Sequence, residues 1–293
     1  MAKPEFPVVV ATDGSRTARA ALATTRMFPW PDGTKVHGVV ARRIRATAGR
    51  PTYVREAFDR AFKRAASDAR AFLSRRWSDV EVAIIDKHPA DAIVGQARLV
   101  EARVIVVGWR GHGLVRRLLL GSVSRAVVRR AHCAVVVVSR RPKHVRRLVI
   151  GLDGSINARR AVELVGALPP PPEGSATLVT ALEPISMPPH ELLPAAARLR
   201  VGHEMAALKG ELAVDARHEL DQAANILGKS GWPVNTILAS GAPLAVLLAT
   251  VKQTRGDLLV IGARGVSGFE RILLGSVADG ALNHCPVPVL LVR

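Results

Sequence analysis

The chain is written twice. Val9, Asp13, Gly14, Ser15, Ala18 and Arg19 recur 140 positions later as Val149, Asp153, Gly154, Ser155, Ala158 and Arg159. Further along, Pro89, Gly108 and Gly121 recur at a spacing of 154 as Pro243, Gly262 and Gly275. Across 104–123, ten of twenty positions are identical to 258–277. A duplication of this length means two copies of one fold, each large enough to bury its own core, since domains commonly hold about 150 residues and the chain has 293. We divide it into domains at 1–140 and 146–293. The second copy holds fourteen extra residues between Asp153 and Pro243. The proline- and leucine-rich stretch 183–200 is where we place them, as a loop or lid outside the core. The connector 139–147, with Arg140, Arg141, Pro142, Lys143 and His144, reads as a solvated linker, with nucleic-acid contact as the alternative.

Each copy alternates two hydrophobic periods. Apolar β-branched runs at 8–12, 36–41, 80–85, 104–107 and 134–138 are short and continuous, as in strands buried on both faces. Between them lie helical stretches at 15–27, 53–77, 90–100 and 121–132. The one at 53–77 carries Val54, Phe58, Ala61, Phe62, Ala65, Ala69, Phe72 and Leu73 at helical spacing. The second copy places strands near 147–152, 175–181, 234–239, 258–261 and 287–292. Strand and helix in strict alternation predict an α/β chain of two tandem doubly wound, five-stranded parallel-sheet domains, Rossmann-like in architecture.

After the fourth strand of each copy stands the same glycine pattern. Gly108, Trp109, Arg110 and Gly111 are followed after nine residues by Gly121, Ser122, Val123 and Ser124; the second copy reads Gly262, Ala263, Arg264 and Gly265, then Gly275, Ser276, Val277 and Ala278. In an open parallel sheet, ligands bind beyond the carboxyl ends of strands where the strand order reverses. Glycines there admit an anion close to the backbone, and the helix that follows offers unpaired amides at its positive end. Ser122 or Ser276 adds a hydroxyl, and Arg110 or Arg264 a charge. The competing reading is a glycine turn before an ordinary helix start; the same spacing in the same setting twice favours phosphate binding. Asp13 and Asp153 end the first strands, where a carboxylate either accepts ribose hydroxyls or caps the next helix. Gly228-Lys229-Ser230 ends like a phosphate-binding P-loop, but Ala223 stands where its first glycine belongs. No G-x-G-x-x-G fingerprint follows either first strand.

The Asp-Gly-Ser starts, the G-x2-G-x9-G-S loops and the apolar last strands resemble the universal stress protein family in its tandem form, over nearly the whole chain. The resemblance implies the adenine nucleotide alpha hydrolase-like fold and one ATP site per domain, with or without Mg²⁺. It places the first site at Ala11, Thr12, Asp13, Val39, Val40, Gly108, Arg110, Gly111, Gly121, Ser122, Val123 and Ser124. The second falls at Gly151, Leu152, Asp153, Thr180, Ala181, Gly262, Arg264, Gly265, Gly275, Ser276, Val277 and Ala278. Asp13 and Asp153 would meet ribose; Val39 and Val40, or Thr180 and Ala181, adenine; the glycine loops, phosphates. It further implies pairing through last strands, here between the two halves, with association of two chains as a further level. Several positions depart from the pattern: Lys87 stands where the second copy has Gly241, crowding or charging the adenine side, Trp109 replaces a small residue, Gly113 lies one position earlier in its copy than Gly268, and Ala278 lacks the hydroxyl of Ser124.

Charge bears on partners. The formal net charge of +18 is uneven: residues 1–140 carry 26 Lys and Arg against 11 Asp and Glu, the rest 16 against 13. Such a field draws phosphate-bearing partners without choosing among them. Only one Tyr and six Phe offer few stacking platforms for single-stranded nucleic acid. Cys133 and Cys285 lack metal or redox spacing, and His88, His112, His132, His203 and His218 lack ligand or triad spacing. No metal site and no catalytic residue is expected, and slow ATP hydrolysis is the one reaction left open. The apolar stretches are shorter than a membrane helix of about 18 residues. We therefore expect a soluble cytoplasmic protein; the resemblance implies an ATP-binding regulatory role in the stress response, with a slow Mg²⁺-dependent ATPase or a basic nucleic-acid or scaffold-binding protein as the alternatives.

Overall fold

The computed structural model describes residues 5–42, 51–111, 120–184, 195–265 and 274–293. The first half runs β1 (Phe6–Ala11), α1 (Arg16–Met27), β2 (Thr34–Ala41), α2 (Thr52–Leu73), β3 (Val80–Ile85), α3 (Pro89–Leu99), β4 (Val104–Gly108), α4 (Ser122–Arg130) and β5 (Ala134–Val138). The second repeats that order. It comprises β6 (Arg147–Leu152), α5 (Ile156–Gly166), β7 (Ser175–Leu182), α6 (Ala195–Lys229), β8 (Val234–Ser240), α7 (Pro243–Gln253), β9 (Leu258–Gly262), α8 (Ser276–His284) and β10 (Val289–Val292). The local rules of the repeat are visible at its ends. Ser15 and Ser155 cap α1 and α5, their hydroxyls accepting from Ala18 N at 3.2 Å and Ala158 N at 3.1 Å. Proline opens both α3 and α7, where its missing N–H has no intrahelical partner to lose.

Both halves are doubly wound, as expected, and their last strands pair with each other, as the resemblance implied. One ten-stranded sheet runs β3-β2-β1-β4-β5-β10-β9-β6-β7-β8. Every neighbouring pair is parallel except β5 and β10, which meet antiparallel at the centre. The register there is Val137↔Val289, Val136↔Leu290 and Val135↔Leu291. Because Val136 and Leu290 are equivalent under the 154-residue repeat, the pairing is symmetric about them. A pseudo-twofold axis therefore passes through this pair, as in an isologous dimer interface. All five residues of β5 and all four of β10 are buried. Alternation along the strands divides the core in two. Val8, Val10, Val136, Leu148, Ile150 and Leu290 face α1, α2, α5 and α6; Val9, Ile105, Val135, Leu259 and Leu291 face α3, α4, α7 and α8. Each layer crosses the junction of the halves without interruption.

Two expectations need correction. The extra residues of the second half are mostly helix, not loop or lid. Residues 185–194 lie outside the described residues, but α6 begins at Ala195 and has 35 residues against 22 in α2. The alanine-rich part of 183–200, from Ala195 to Arg200, propagates an existing helix, where each added residue gains a backbone hydrogen bond without a new nucleation cost. The connector is not simply solvated either. Val145 is buried, and Asp257 accepts from Arg146 N at 3.2 Å and Arg147 N at 2.9 Å, with His144 Nδ1 at 2.9 Å. Its exposed residues are Arg140, Arg141 and Lys143.

Candidate functional site

Within each half the strand order reverses between the first and fourth strands, β1 and β4 or β6 and β9. The carboxyl ends of those strands diverge there, because their helices cross to opposite faces of the sheet. Asp13 follows β1. One of its carboxylate oxygens accepts Ser15 N at 2.9 Å, so the carboxylate makes an Asx-type turn while Ser15, not Asp13, caps the helix. Gly14 takes φ +78° to form this turn, a conformation that costs other residues about 1 kcal/mol or more. The second half repeats it, with Ser155 N at 3.1 Å from Asp153 and Gly154 at φ +75°.

The glycine loops close over these carboxylates. A Cβ on Gly265 would fall 2.6 Å from Asp153 Oδ2, and one on Gly111 would collide with Asp13 Oδ2. Gly108 and Gly262 press against the first turns of α1 and α5 just as tightly. The loop backbone is fastened from below. Ser15 Oγ donates to the Arg110 carbonyl at 3.3 Å, and Thr17 Oγ1 donates to the same oxygen. In the second half, Ser155 Oγ at 3.3 Å and Asn157 Nδ2 at 3.4 Å hold the Arg264 carbonyl. The helices that follow, α4 and α8, start at Gly121 and Gly275 without a side-chain cap, unlike the serine-capped α1 and α5. Amides in their first turns therefore have no side-chain acceptor of the ordinary kind.

The two clefts differ in size. The second, about 460 Å³, is lined among others by Gly151, Leu152, Asp153, Thr180, Ala181, Gly262, Arg264, Gly265, Gly275, Ser276, Val277 and Ala278. The first, about 110 Å³, is lined by Ala11, Thr12, Asp13, Val39, Gly108, Arg110, Gly111, Val123 and Ser124 together with Ala41, Pro89 and Ile93. All twelve residues expected at the second site thus gather there, and nine of twelve at the first. Val40 is fully buried and off the first cleft, with Ala41 in its place; Gly121 packs against Trp109 and Arg110, and Ser122 is exposed. Part of the size difference is a single methyl group. Ala11 matches Gly151, where a Cβ would meet Leu247 at 2.9 Å and Ile261 at 3.0 Å. In the second half α6 also brings Leu212, Asp215, Ala216 and Glu219 to the wall.

Individual polar groups also divide. Thr180 Oγ1 is buried against the second cleft and has no hydrogen-bond partner, a state that costs about 1–3 kcal/mol unless something else satisfies it. Its counterpart is Val40. Ser124 donates to the Gly108 carbonyl at 2.6 Å, so its hydroxyl ties α4 to β4. Lys87 is exposed and does not line the first cleft; the turn simply forgoes the φ of +142° that Gly241 adopts. Trp109 points away too, its indole donating to the Leu282 carbonyl across the junction at 2.7 Å, while Arg110 stacks on its ring at 4.5 Å. Little in the sequence foretells α6 as a cleft wall, because Asp215 and Glu219 look like ordinary solvated helix positions.

Neither cysteine is primed for nucleophilic work. Burial pushes the Cys133 thiol up to about 12 and the Cys285 thiol up to about 11. Among the described residues no group of three His, Cys, Asp or Glu could hold a metal ion, and no helix is long and apolar enough to cross a membrane.

This geometry has known relatives. A model described as the universal stress protein family matches residues 6–139 and again 144–293. A universal stress protein of Mycobacterium tuberculosis (strain H37Rv) is 31% identical over 208 residues, 66% of this chain and 62% of its own length. A second from the same strain is 27% identical over 211 residues, 66% of this chain and 59% of its own length. The chain thus aligns with less than two thirds of these relatives. Among solved structures, a universal stress protein from Archaeoglobus fulgidus superposes with a TM-score of 0.65 at 17% identity, covering 98% of both chains. One from Pseudomonas aeruginosa, described as putative, gives 0.57 at 13%, covering 98% of this chain and 93% of its own. At such identities these two structures speak for the fold alone.

Proposed function

The chain belongs to the universal stress protein family, and from that premise we propose that it is a regulatory protein of the stress response that binds ATP, one site in each half. The observation that carries this reading is the repeated cradle at each switch point. A glycine with no room for a Cβ lies over a carboxylate, and beside it a helix opens without a side-chain cap. A triphosphate suits the uncapped helix start and the loop amides, with Arg110 or Arg264 adding charge. The carboxylates of Asp13 and Asp153 suit the donors of a ribose. The adenine would lie in the apolar part of each cleft, against Val39 and Ala41 or Val179, Thr180 and Ala181. Any Mg²⁺ would enter on the phosphates. Binding that favours one arrangement of the loops would alter the surface presented to partners, by no more than the difference in affinity between arrangements.

The test is to purify the full chain, denature it, and identify the nucleotide released. We expect adenine nucleotide at up to two equivalents per chain, and titration of the emptied protein with ATP should refill both sites. A chain that comes out empty and refuses ATP at millimolar concentration overturns the reading.

A further inference from the structure

A second and larger cavity, about 1160 Å³, opens in the first half between α1 and α2, where Arg140 and Arg141 also reach its rim. We propose that it binds a small molecule carrying two or more adjacent phosphate groups, at a site that adjoins the nucleotide cleft at Thr12, Asp13 and Arg110 and has no counterpart in the second half.

The charge of its lining is the first argument. Arg16, Arg64, Arg140 and Arg141 line it and are exposed, and none forms an ion pair with a described carboxylate. With Arg19 and Arg110 they make six arginines against the two carboxylates of Asp13 and Asp68. Holding like charges around one concavity is unfavourable unless an anion shares the space. Arginine's planar fork suits phosphate oxygens in particular. The remaining surface is shaped for a compact ligand. Ala65 and Ala69 leave the wall open, and Phe72 is already covered by the Arg26 guanidinium at 4.4 Å. Trp109 is covered in the same way by Arg110. A single-stranded nucleic acid would find no bare aromatic platform on this wall, and the volume is near the range of about 300–1,000 Å³ usual for small-molecule pockets.

The second half supplies an internal control. Buried positions Ala66, Ala69 and Leu73 of α2 match Leu220, Ala223 and Leu227 of α6, which fixes the equivalence along the two helices. On that basis Arg64 becomes His218, Ala65 becomes Glu219, and on the neighbouring helix Arg16 becomes Ile156 and Ala23 becomes Glu163. Glu163 and Glu219, against the single cation Arg159, line what is left of the cavity, about 110 Å³. The same scaffold thus holds a wide pocket with an excess of four cations in one half and a narrow one with an excess of one carboxylate in the other. Repulsion between carboxylates and phosphate excludes the ligand from the second.

The experiment uses the full-length chain with saturating ATP, titrated with sodium tripolyphosphate in a calorimeter. We expect one tripolyphosphate per chain. Ala65→Glu, which installs the residue the second half already tolerates, and Arg64→Glu should each weaken it by about tenfold or more, with ATP stoichiometry unchanged. Arg141→Glu, in the exposed connector, serves as a third variant outside the helices. No binding at millimolar tripolyphosphate, or equal binding in the wild type and all three variants, overturns the proposal. So does RNA binding that these variants abolish while tripolyphosphate is ignored. If ATP fails to bind yet one tripolyphosphate does, sensitively to Ala65→Glu, the nucleotide reading falls and this one stands.

Discussion

The two halves share one fold but meet each other with different side chains. On the 154-residue repeat, Arg125 of α4 and Asp279 of α8 occupy the same position, and they face each other at 3.7 Å. In a dimer of identical chains that place would set arginine against arginine. Trp109, whose counterpart is Ala263, donates to the Leu282 carbonyl, and the Leu120 amide donates to Asn283, whose counterpart is Arg129. Joining the copies in one chain released each from having to be its own partner. Residues at the junction could then specialise in opposite directions, while the backbone pairing of β5 with β10 kept its symmetry. The clefts diverge in the same way: a buried unpartnered hydroxyl and a long helical wall in one, a tryptophan-braced arginine and a smaller opening in the other.

The junction is where this comparison breaks most visibly. Leu290→Ala, on the pseudo-axis and 1% exposed, should cost about 2–5 kcal/mol and lower the melting temperature of both halves together, as followed by calorimetry. Two separate transitions, only one of them shifted, would show that the halves fold as independent units. Next come the cradles. Gly265→Val should remove one ATP equivalent per chain, with on the order of a hundredfold loss at that site (about 2.7 kcal/mol), and Gly111→Val should remove the other. If either variant empties both sites, the clefts are coupled. A smaller effect separates them by chemistry. Thr180→Val installs the residue of the first half, and removing a hydroxyl that a ligand uses should weaken the second site by about tenfold, near 1–1.5 kcal/mol. Unchanged affinity with raised stability would mean that Thr180 meets no ligand.

The smallest effects concern ion pairs. Arg125→Asp should cost less than about 1 kcal/mol, since both partners are more than a third exposed, and adding Asp279→Arg should restore the loss. Asp91 pairs with Arg130 at 2.6 Å across α3 and α4; Ala245 and His284 stand at the equivalent places. The hydrogen bond from Arg130 holds the Asp91 carboxyl below the usual carboxylate range. This contribution is present above the unfolded carboxylate pKa near 4 and is lost as pH falls through the lower folded value. The protection factors of the α3–α4 amides, taken relative to intrinsic exchange at each pH, should therefore fall on acidification before those of α7 and α8.

Much of this is legible in the sequence, for identifiable reasons. The strands at 80–85 and 134–138 coincide with β3 and β5, because short stretches dominated by valine and isoleucine favour strand over helix. The switch-point cradle is readable because a glycine pattern repeated at fixed spacing reports close backbone approach. The expectation at Val40 misses by a single position, the distance that turns a side chain to the opposite face of a strand. The stretch 183–200 reads as loop because its prolines draw attention away from the alanines at 195–197, which begin α6.

By itself the sequence determined the duplication, the α/β alternation, and the places where backbone must approach carboxylate, since all of these depend on local periodicity and the absence of a Cβ. Tertiary structure alone decided the antiparallel register in which β5 meets β10, that Arg125 meets Asp279, and that α6 walls one cleft while its counterpart leaves a cationic cavity. Such features depend on which distant surfaces come into contact. Helix period and apolar pattern fix which face of an element is buried but not what lies against it.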